Sequence, residues 1–222
     1  MAEKQVKSKK RVDDHGEVFT AEREVKAMCD LVGDATERID SRFLEPACGD
    51  GNFLAEILTR KLAIVKIRYR RSAYDWERNS LLALGSMYGV DILSDNCSAC
   101  RKRLFEIWNK EYQAVCKREC NEDTRKAAKF ILFRNIICGN ALTYRCVAEN
   151  GTDTREPIIF SEWSFPRNDA FIYRKDYMFE HLINGAPAPE TDGQMCLFDE
   201  DSDEGRLIEE YKCHYRRLGD NE

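Results

Sequence analysis

The chain has 222 residues, of which 43% are hydrophobic and 34% are charged, and its formal net charge is −5. This composition supports one folded domain with a soluble surface and excludes a globally basic nucleic-acid-binding protein. No apolar run approaches the roughly 20 residues of a membrane helix, and the polar N-terminus lacks an apolar signal region, so we expect a cytoplasmic protein without a membrane partner.

Apolar residues that recur every three or four positions predict helices, and short apolar runs between turn residues predict strands. These patterns predict helices at 21–32, 52–65, 95–117 and 126–133. They predict strands at 42–46, 86–91, 135–138, 157–160 and 170–173. Because strands that are separated by helices pair in parallel, the sequence predicts an α/β fold with a mostly parallel sheet.

Composition divides the chain into three parts. Residues 1–16 are basic and polar and are predicted to form a flexible arm, whereas 17–183 hold the alternating elements. Residues 184–222 are rich in glycine, proline and acid, which predicts a mobile tail, with a short helix between Glu204 and Leu218. Residues 66–80 form a charged, aromatic-rich insertion. Basic and aromatic residues there are typical either of a nucleic-acid-binding surface or of a solvated helix face.

The run FLEPACGDGNFL at 43–54 places two glycines, Gly49 and Gly51, at a strand-to-helix turn. Glycine adopts positive φ readily and lets a ligand approach the backbone closely. In an open α/β sheet this turn lies at the carboxyl edge of the strands, where ligands bind. The run lacks the third glycine of a dinucleotide fingerprint. Its predicted ligand-binding residues are Glu45, Pro46, Ala47, Gly49, Gly51, Asn52 and Phe53.

This run resembles the first motif of S-adenosylmethionine-dependent methyltransferases, in the form found in adenine-N6 DNA methyltransferases of restriction-modification systems. The segment Gly16–Thr20 resembles the family's N-terminal cofactor motif, in which Phe19 and Thr20 would pack against the methionine end of the cofactor. Ala21 stands where proline is usual. The resemblance implies a Rossmann-like methyltransferase fold, S-adenosylmethionine as cofactor and DNA as substrate, in a restriction-modification, phage or mobile-element context.

The resemblance extends over about residues 15–162 and assigns roles beyond the glycine run. Asp91, at the end of the second strand, would accept hydrogen bonds from ribose hydroxyls, and Ile92 would pack on the adenine. Asn140, followed by Ala141, resembles the family's G-[DN]-[AS]-L segment and would contact the adenine amino group. Structural alternatives remain: Asp91 could stabilise a helix N-terminus, and Asn140 could serve only as a turn residue.

The family's motif for the target base, [DN]-P-P-[YFW], does not occur in the sequence. At its expected place Ser161, Glu162 and Trp163 would form an atypical catalytic loop. There Glu162 would accept a hydrogen bond from an amine, and Trp163 or Phe165 would stack on a base flipped out of the duplex. The alternative is that these residues are structural. The chain would then be a truncated, degenerate subunit that needs a second methyltransferase or restriction subunit. Methyl transfer to RNA, protein or a small molecule is a third reading.

Ten cysteines without a secretion signal indicate reduced thiols, and we predict no metal site. The pairs Cys97/Cys100 and Cys116/Cys120 have spacing that is compatible with zinc. However, a single helix would separate them by roughly 25–30 Å.

The acidic tail contains Gln194–Phe198, which resembles the Q-[LM]-x-L-F peptide that docks on the bacterial sliding clamp. Two apolar anchors on a flexible tether suit a groove-binding peptide. The alternative is that Leu197 and Phe198 fold back onto the domain.

Overall fold

A computed structural model describes residues 8–15, 17–18, 20–166, 169–185 and 207–220. Within these ranges the helices are α1 (Lys9–His15), α2 (Glu22–Leu31), α3 (Gly33–Thr36), α4 (Asn52–Tyr69), α5 (Ala73–Gly85), α6 (Ser94–Cys116), α7 (Glu122–Asn135) and α8 (Phe179–Asn184). The strands are β1 (Phe43–Glu45), β2 (Met87–Asp91), β3 (Ile136–Asn140), β4 (Arg145–Val147), β5 (Asp153–Pro157), β6 (Ile159–Ser164), β7 (Phe171–Met178) and β8 (Leu207–His214).

The strands form two sheets. A five-stranded sheet has the order β1-β2-β3-β4-β5, and a three-stranded sheet has the order β6-β7-β8. The pairs β1–β2 and β2–β3 are parallel, whereas β3–β4, β4–β5 and both pairs of the second sheet are antiparallel. The chain is therefore α/β, with a mixed sheet that is parallel at its start and a second, antiparallel sheet.

The connections explain where the parallel pairing stops. Helices α4 and α5 join β1 to β2, and helices α6 and α7 lie between β2 and β3, so these crossovers are long enough for parallel strands. Only residues 141–144 join β3 to β4. Because so short a connection cannot cross over to start a parallel strand, β3 and β4 can pair only in the antiparallel direction. The predicted fourth strand at 157–160 is thus not a parallel strand, because β6 pairs instead with β7 in the second sheet.

The predicted insertion at 66–80 is the end of α4 and more than half of α5. Ser72 caps α5 by accepting a 3.2 Å hydrogen bond from the backbone N–H of Asp75. Trp76 is fully buried and stacks on Tyr112 of α6, with ring centroids 5.4 Å apart. Aromatic residues in this stretch therefore serve the core as well as the surface.

The basic residues between 60 and 78 divide between the core and the surface, where Lys66, Arg68, Arg70 and Arg71 are exposed. Lys61 and Arg78 are buried. Arg60 pairs with Glu56, and Lys66 pairs with Glu111 at 2.9 Å. Two of these basic residues thus belong to the core, and the exposed ones at the end of α4 lie on a solvated helix face.

Both ends of the described chain contact the central elements. Residues 9–15, predicted as flexible, form α1, and Arg11 in this helix bonds to Asp95 at the start of α6. At the other end, β8 stands where the sequence predicts a short helix, and it pairs with β7. Tyr215 then donates a 2.5 Å hydrogen bond to the buried carboxylate of Glu77. The predicted clamp-binding peptide at 194–198 lies outside the described residues.

Two apolar clusters hold the elements together. The larger cluster lies among α4–α7 and reaches β6 through Trp163, and the smaller cluster packs Tyr88 and Val90 of β2 against Phe160 and Phe179. Among the helices that the structure describes, none is long and apolar enough to cross a membrane.

Candidate functional site

A cavity of about 520 Å³ lies at the carboxyl ends of the three parallel strands. Each strand contributes its last residue to the lining: Glu45 from β1, Asp91 from β2 and Asn140 from β3. Asn52 and Phe53, at the start of α4, complete the inner wall. The volume falls within the roughly 300–1,000 Å³ of small-molecule sites, and this strand edge is where open α/β sheets bind ligands.

Most of the residues predicted to bind a cofactor line this one cavity. They are Thr20, Glu45, Pro46, Ala47, Gly49, Asn52, Phe53, Asp91, Ile92, Asn140 and Ala141. Gly51 is buried within the turn and does not line the cavity, and Phe19 lies outside the described residues. Seven further residues line the cavity without having been predicted from the sequence: Glu17, Val18, Cys48, Asp50, Leu93, Asn96 and Leu142.

The turn between β1 and α4 depends on its two glycines. Gly49 has a φ of +53° and Gly51 a φ of +89°, in the left-handed region that side chains disfavour. A Cβ atom on Gly51 would also lie 2.7 Å from the Sγ of Cys100 in α6. The glycines therefore permit both the turn and its close approach to α6.

Asp91 holds this turn in place. Its Oδ2 accepts a 2.9 Å hydrogen bond from the backbone N–H of Gly49. Its Oδ1 accepts hydrogen bonds from the N–H of Leu93 at 2.8 Å and from the side chain of Asn96 at 3.2 Å. Because a carboxylate has about four acceptor positions, the side chain retains room for about one further donor. The position at the strand end agrees with the predicted role, but protein groups already use most of the carboxylate.

Four acidic side chains line the cavity, and they are not equally neutralised. Glu17 pairs with Arg11 at 2.7 Å, and Asp50 pairs with Arg103 at 2.8 Å. Glu45 has no ion-pair partner within the described ranges, and burial raises the pKa of its carboxyl above the ordinary value. A ligand with a positively charged group would compensate this carboxylate.

Glu17, Val18 and Thr20 also line the cavity, and side chains tie Glu17 and Thr20 to the helices. Asn52 donates a 3.2 Å hydrogen bond to the carbonyl oxygen of Thr20, and Asn96 donates a 2.8 Å hydrogen bond to Glu17. Arg103 donates to the side chain of Asn52. Arg103 carries no sequence signal for this role, because its partners lie about fifty positions earlier in the chain.

The rim of the cavity is apolar. Val18, Ile92 and Leu142 line it and are 60%, 40% and 90% exposed, respectively. Asn140 lies beside this rim, where its Oδ1 accepts a 3.0 Å hydrogen bond from the N–H of Leu142. An apolar rim next to a polar interior suits a ligand that has an aromatic ring and charged groups at different ends.

The predicted catalytic loop is a strand. Ser161, Glu162 and Trp163 lie in β6, and none of them lines the cavity. Ser161 is fully buried, and its Oγ donates a 2.6 Å hydrogen bond to Asp176. Trp163 is 4% exposed and packs in the larger core, so its ring faces cannot stack on a base.

Glu162 is held away from the cavity by a 2.9 Å ion pair with Arg42. Arg42 precedes β1, whereas the cavity lies at the other end of that strand. The geometry therefore separates Glu162 from the residues that line the cavity. No side chain of the predicted catalytic trio contacts the site.

The cysteines near the turn are free thiols. A hydrogen bond with Cys100, together with burial, raises the pKa of Cys48, and burial raises that of Cys97. Cys97 and Cys116 lie near opposite ends of α6, as the sequence predicts. The described part of the chain contains no group of three or more side chains that could hold a metal ion.

Comparisons with protein-family models, with curated proteins and with solved structures found no match for this chain.

Proposed function

We propose that this chain binds S-adenosylmethionine in the strand-end cavity and serves the methylation of DNA at adenine N6. The observation that carries the proposal is that residues from three separate sequence motifs line a single cavity. The first motif ends at Thr20, the second is the glycine turn around Gly49, and the third begins at Gly139. Asp91, at the end of β2, lines the same cavity. The parallel strands β1–β3 and their helical crossovers support the assignment of this region to a Rossmann-like domain.

The chemistry of the lining fits this cofactor. Glu45 would hold the ammonium group, since its carboxyl has no cationic partner in the described structure and burial raises its pKa. Asp91 also lacks a cationic partner there, but its carboxylate already accepts three hydrogen bonds from protein groups. The N-terminus of α4, beside Phe53, would stabilise the negative charge of the cofactor's carboxylate. Asp91 would accept a hydrogen bond from a ribose hydroxyl at its remaining acceptor position, and Ile92 would pack on the adenine ring. When bound, S-adenosylmethionine supplies an activated methyl group.

A second candidate function is a partner-dependent subunit that binds the cofactor but does not transfer the methyl group alone. The burial of Ser161 and Trp163 favours this candidate, because neither can reach a ligand in the cavity. The ion pair of Glu162 with Arg42 points the same way. We therefore propose that another chain supplies the groups that bind the target base.

Calorimetric titration with S-adenosylmethionine tests cofactor binding. We expect saturable one-to-one binding in the micromolar range, with Glu45→Gln weakening it at least tenfold. Glu162→Gln is the matched control, since it removes the same charge from a residue that does not line the cavity. Failure of the folded wild-type chain to bind would overturn the proposal.

Transfer of a labelled methyl group to unmethylated DNA separates the two candidates. The partner-dependent candidate predicts cofactor binding without transfer by the isolated chain. Robust transfer by the isolated chain would contradict that candidate and leave cofactor binding untouched. A transfer activity that persists in Glu162→Gln would exclude a catalytic role for this carboxylate.

A further inference from the structure

Strand β1 has an open edge. Within the described residues it pairs with β2 alone, and the N–H of Phe43 donates a 2.9 Å hydrogen bond to Ser86 on that side. Because hydrogen-bonding groups alternate along a strand, the N–H and C=O of Leu44 face the other edge. In doubly wound sheets the first strand lies in the interior with a neighbour on each side. Here that second neighbour is missing from the described sheet.

An apolar groove of about 260 Å³ lies beside this edge. Its floor is formed by the aromatic side chains of Tyr88, Phe160 and Phe179, which are buried in the smaller core. Its exposed apolar side chains are Leu44 at 40%, Leu182 at 46% and Ile183 at 55%. We call this surface, with the open edge of β1, the edge groove. An open strand edge beside exposed apolar side chains is a surface that proteins normally cover.

We infer that the edge groove binds an extended β-strand of a partner polypeptide. The backbone of that strand would pair with Leu44, and apolar side chains at alternate positions would enter the groove. Strand addition of this kind draws its affinity from main-chain hydrogen bonds and its specificity from pockets for alternate side chains. The inference rests on the partner-dependent candidate proposed above and names its surface.

The position of the groove relative to the cavity selects this occupant. Leu44 in the groove is followed directly by Glu45 in the cavity lining. A strand paired with β1 in either direction would therefore have one end beside the cavity. Because the chain's own Ser161 and Trp163 are buried elsewhere, the added polypeptide would bring its groups to a site that this chain leaves incomplete. A second copy would pair only the three residues of β1 with themselves.

The isolated full-length chain provides the first test. We expect a monomer in analytical ultracentrifugation and fast hydrogen exchange at the amide of Leu44, because that amide has no strand partner among the described residues. A dimer that Leu44→Lys dissociates would assign the edge groove to a second copy and overturn the inference. Slow exchange at Leu44 in the monomer would show that this chain covers its own edge, with the same consequence.

The second test uses a fluorescein-labelled peptide of ten alternating valines and threonines as the strand probe. We expect saturable binding and slower exchange at the amide of Leu44. A peptide of the same sequence with N-methylated backbone amides should not bind, since it cannot form the ladder. Ile183→Lys should weaken binding of the probe at least tenfold, whereas Leu31→Lys, on the exposed surface of α2, should not change it.

These measurements are made without S-adenosylmethionine, so they do not depend on the cavity. Titration of Ile183→Lys with the cofactor should give the wild-type affinity. Equal affinity for the probe and its N-methylated form, or no saturable binding of either, would overturn the strand inference. Cofactor binding by the same preparation would then show that the strand inference is wrong while the proposed cofactor site is supported.

Discussion

The carboxylate of Asp91 accepts a 2.9 Å hydrogen bond from the backbone N–H of Gly49, so the end of β2 holds the turn that follows β1. The same side chain accepts hydrogen bonds from Leu93 and Asn96, at the start of α6. One carboxylate therefore links two strand ends and a helix around the cavity. This role is structural, and it would exist with or without a ligand.

Replacement of Asp91 should destabilise the fold as well as the site. Asp91→Ala leaves the N–H groups of Gly49 and Leu93 without their acceptor and removes one acceptor of the Asn96 side-chain amide, which keeps its bond to Glu17. We expect a loss of about 2–4 kcal/mol in the free energy of unfolding, measured by urea titration. Asp123→Ala removes an exposed pair with Lys126 and should cost less than about 1 kcal/mol. Equal stability of the two variants would contradict the role of Asp91.

Gly51→Ala should be strongly destabilising. The new Cβ atom would lie 2.7 Å from the Sγ of Cys100, and the residue has a φ of +89°. We expect a cost of about 2–4 kcal/mol from the strained backbone and the contact. Gly33→Ala is the matched control, because nothing lies within 4 Å of its added Cβ atom. If thermal and urea denaturation ranked the two alanine variants equally, the close approach of the turn to α6 would be refuted.

Cofactor binding should weaken at acidic pH through Glu45. Burial raises the pKa of this carboxyl, so the residue loses its charge at a higher pH than an ordinary glutamate. A protonated Glu45 cannot neutralise the ammonium group of S-adenosylmethionine. We expect the dissociation constant to rise as the pH falls through the raised pKa of Glu45, and Glu45→Gln to flatten this dependence. Parallel pH profiles for the wild type and the variant would exclude Glu45 as the ammonium partner.

Lys61 should make stability depend on pH. It is fully buried, and its Nζ donates hydrogen bonds to the carbonyl oxygen of Ile39 at 3.1 Å and to Ser86 Oγ at 2.6 Å. Burial lowers its pKa from 10.5 to about 7. Between these values the unfolded chain holds a proton that the folded chain has released, so stability rises with pH. Below about pH 7 both states hold the proton and the dependence ends.

Comparison with Lys61→Met isolates this effect. The difference in unfolding free energy, wild type minus variant, should grow by about 3 kcal/mol between pH 7 and 10. Lys66→Met is the control, because Lys66 is partly exposed and pairs with Glu111. A difference that stays constant with pH would mean that Lys61 remains protonated in the folded chain.

Trp163 should matter to stability rather than to base stacking. Its ring packs against Gly85 and lies edge-to-face with Phe130, at a centroid distance of 6.1 Å. Trp163→Ala should cost about 3–5 kcal/mol in urea unfolding. Phe133→Ala, whose side chain is 57% exposed, should cost much less. A folded, fully stable Trp163→Ala would restore Trp163 as a candidate for contact with a base.

Local patterns were sufficient for the first half of the fold. The strand, glycine turn and helix over 43–54 form a continuous unit in the sequence, and β1 followed by α4 is that unit. The glycines of this turn have the positive φ values that their spacing suggests. The second strand ends at Asp91 and the third runs to Asn140, so the residues that follow parallel strands meet at one edge. Hydrophobic periodicity and turn-forming residues depend only on positions a few residues apart. The sequence could therefore reveal these strands, the turn and the helix.

The sequence by itself thus predicted the three parallel strands, the helices α4, α6 and α7 and most of the residues that line the cavity, whereas most of α5 lies in the predicted insertion. The tertiary structure alone decided the burial of Trp163, the place of β6 in a second sheet and the open edge of β1. It also decided that Gly49, Leu93 and Asn96 use most of the hydrogen-bond acceptor positions of Asp91. The physical reason is that burial, strand pairing and ion pairing depend on groups far apart in the chain, whose meeting no local pattern encodes.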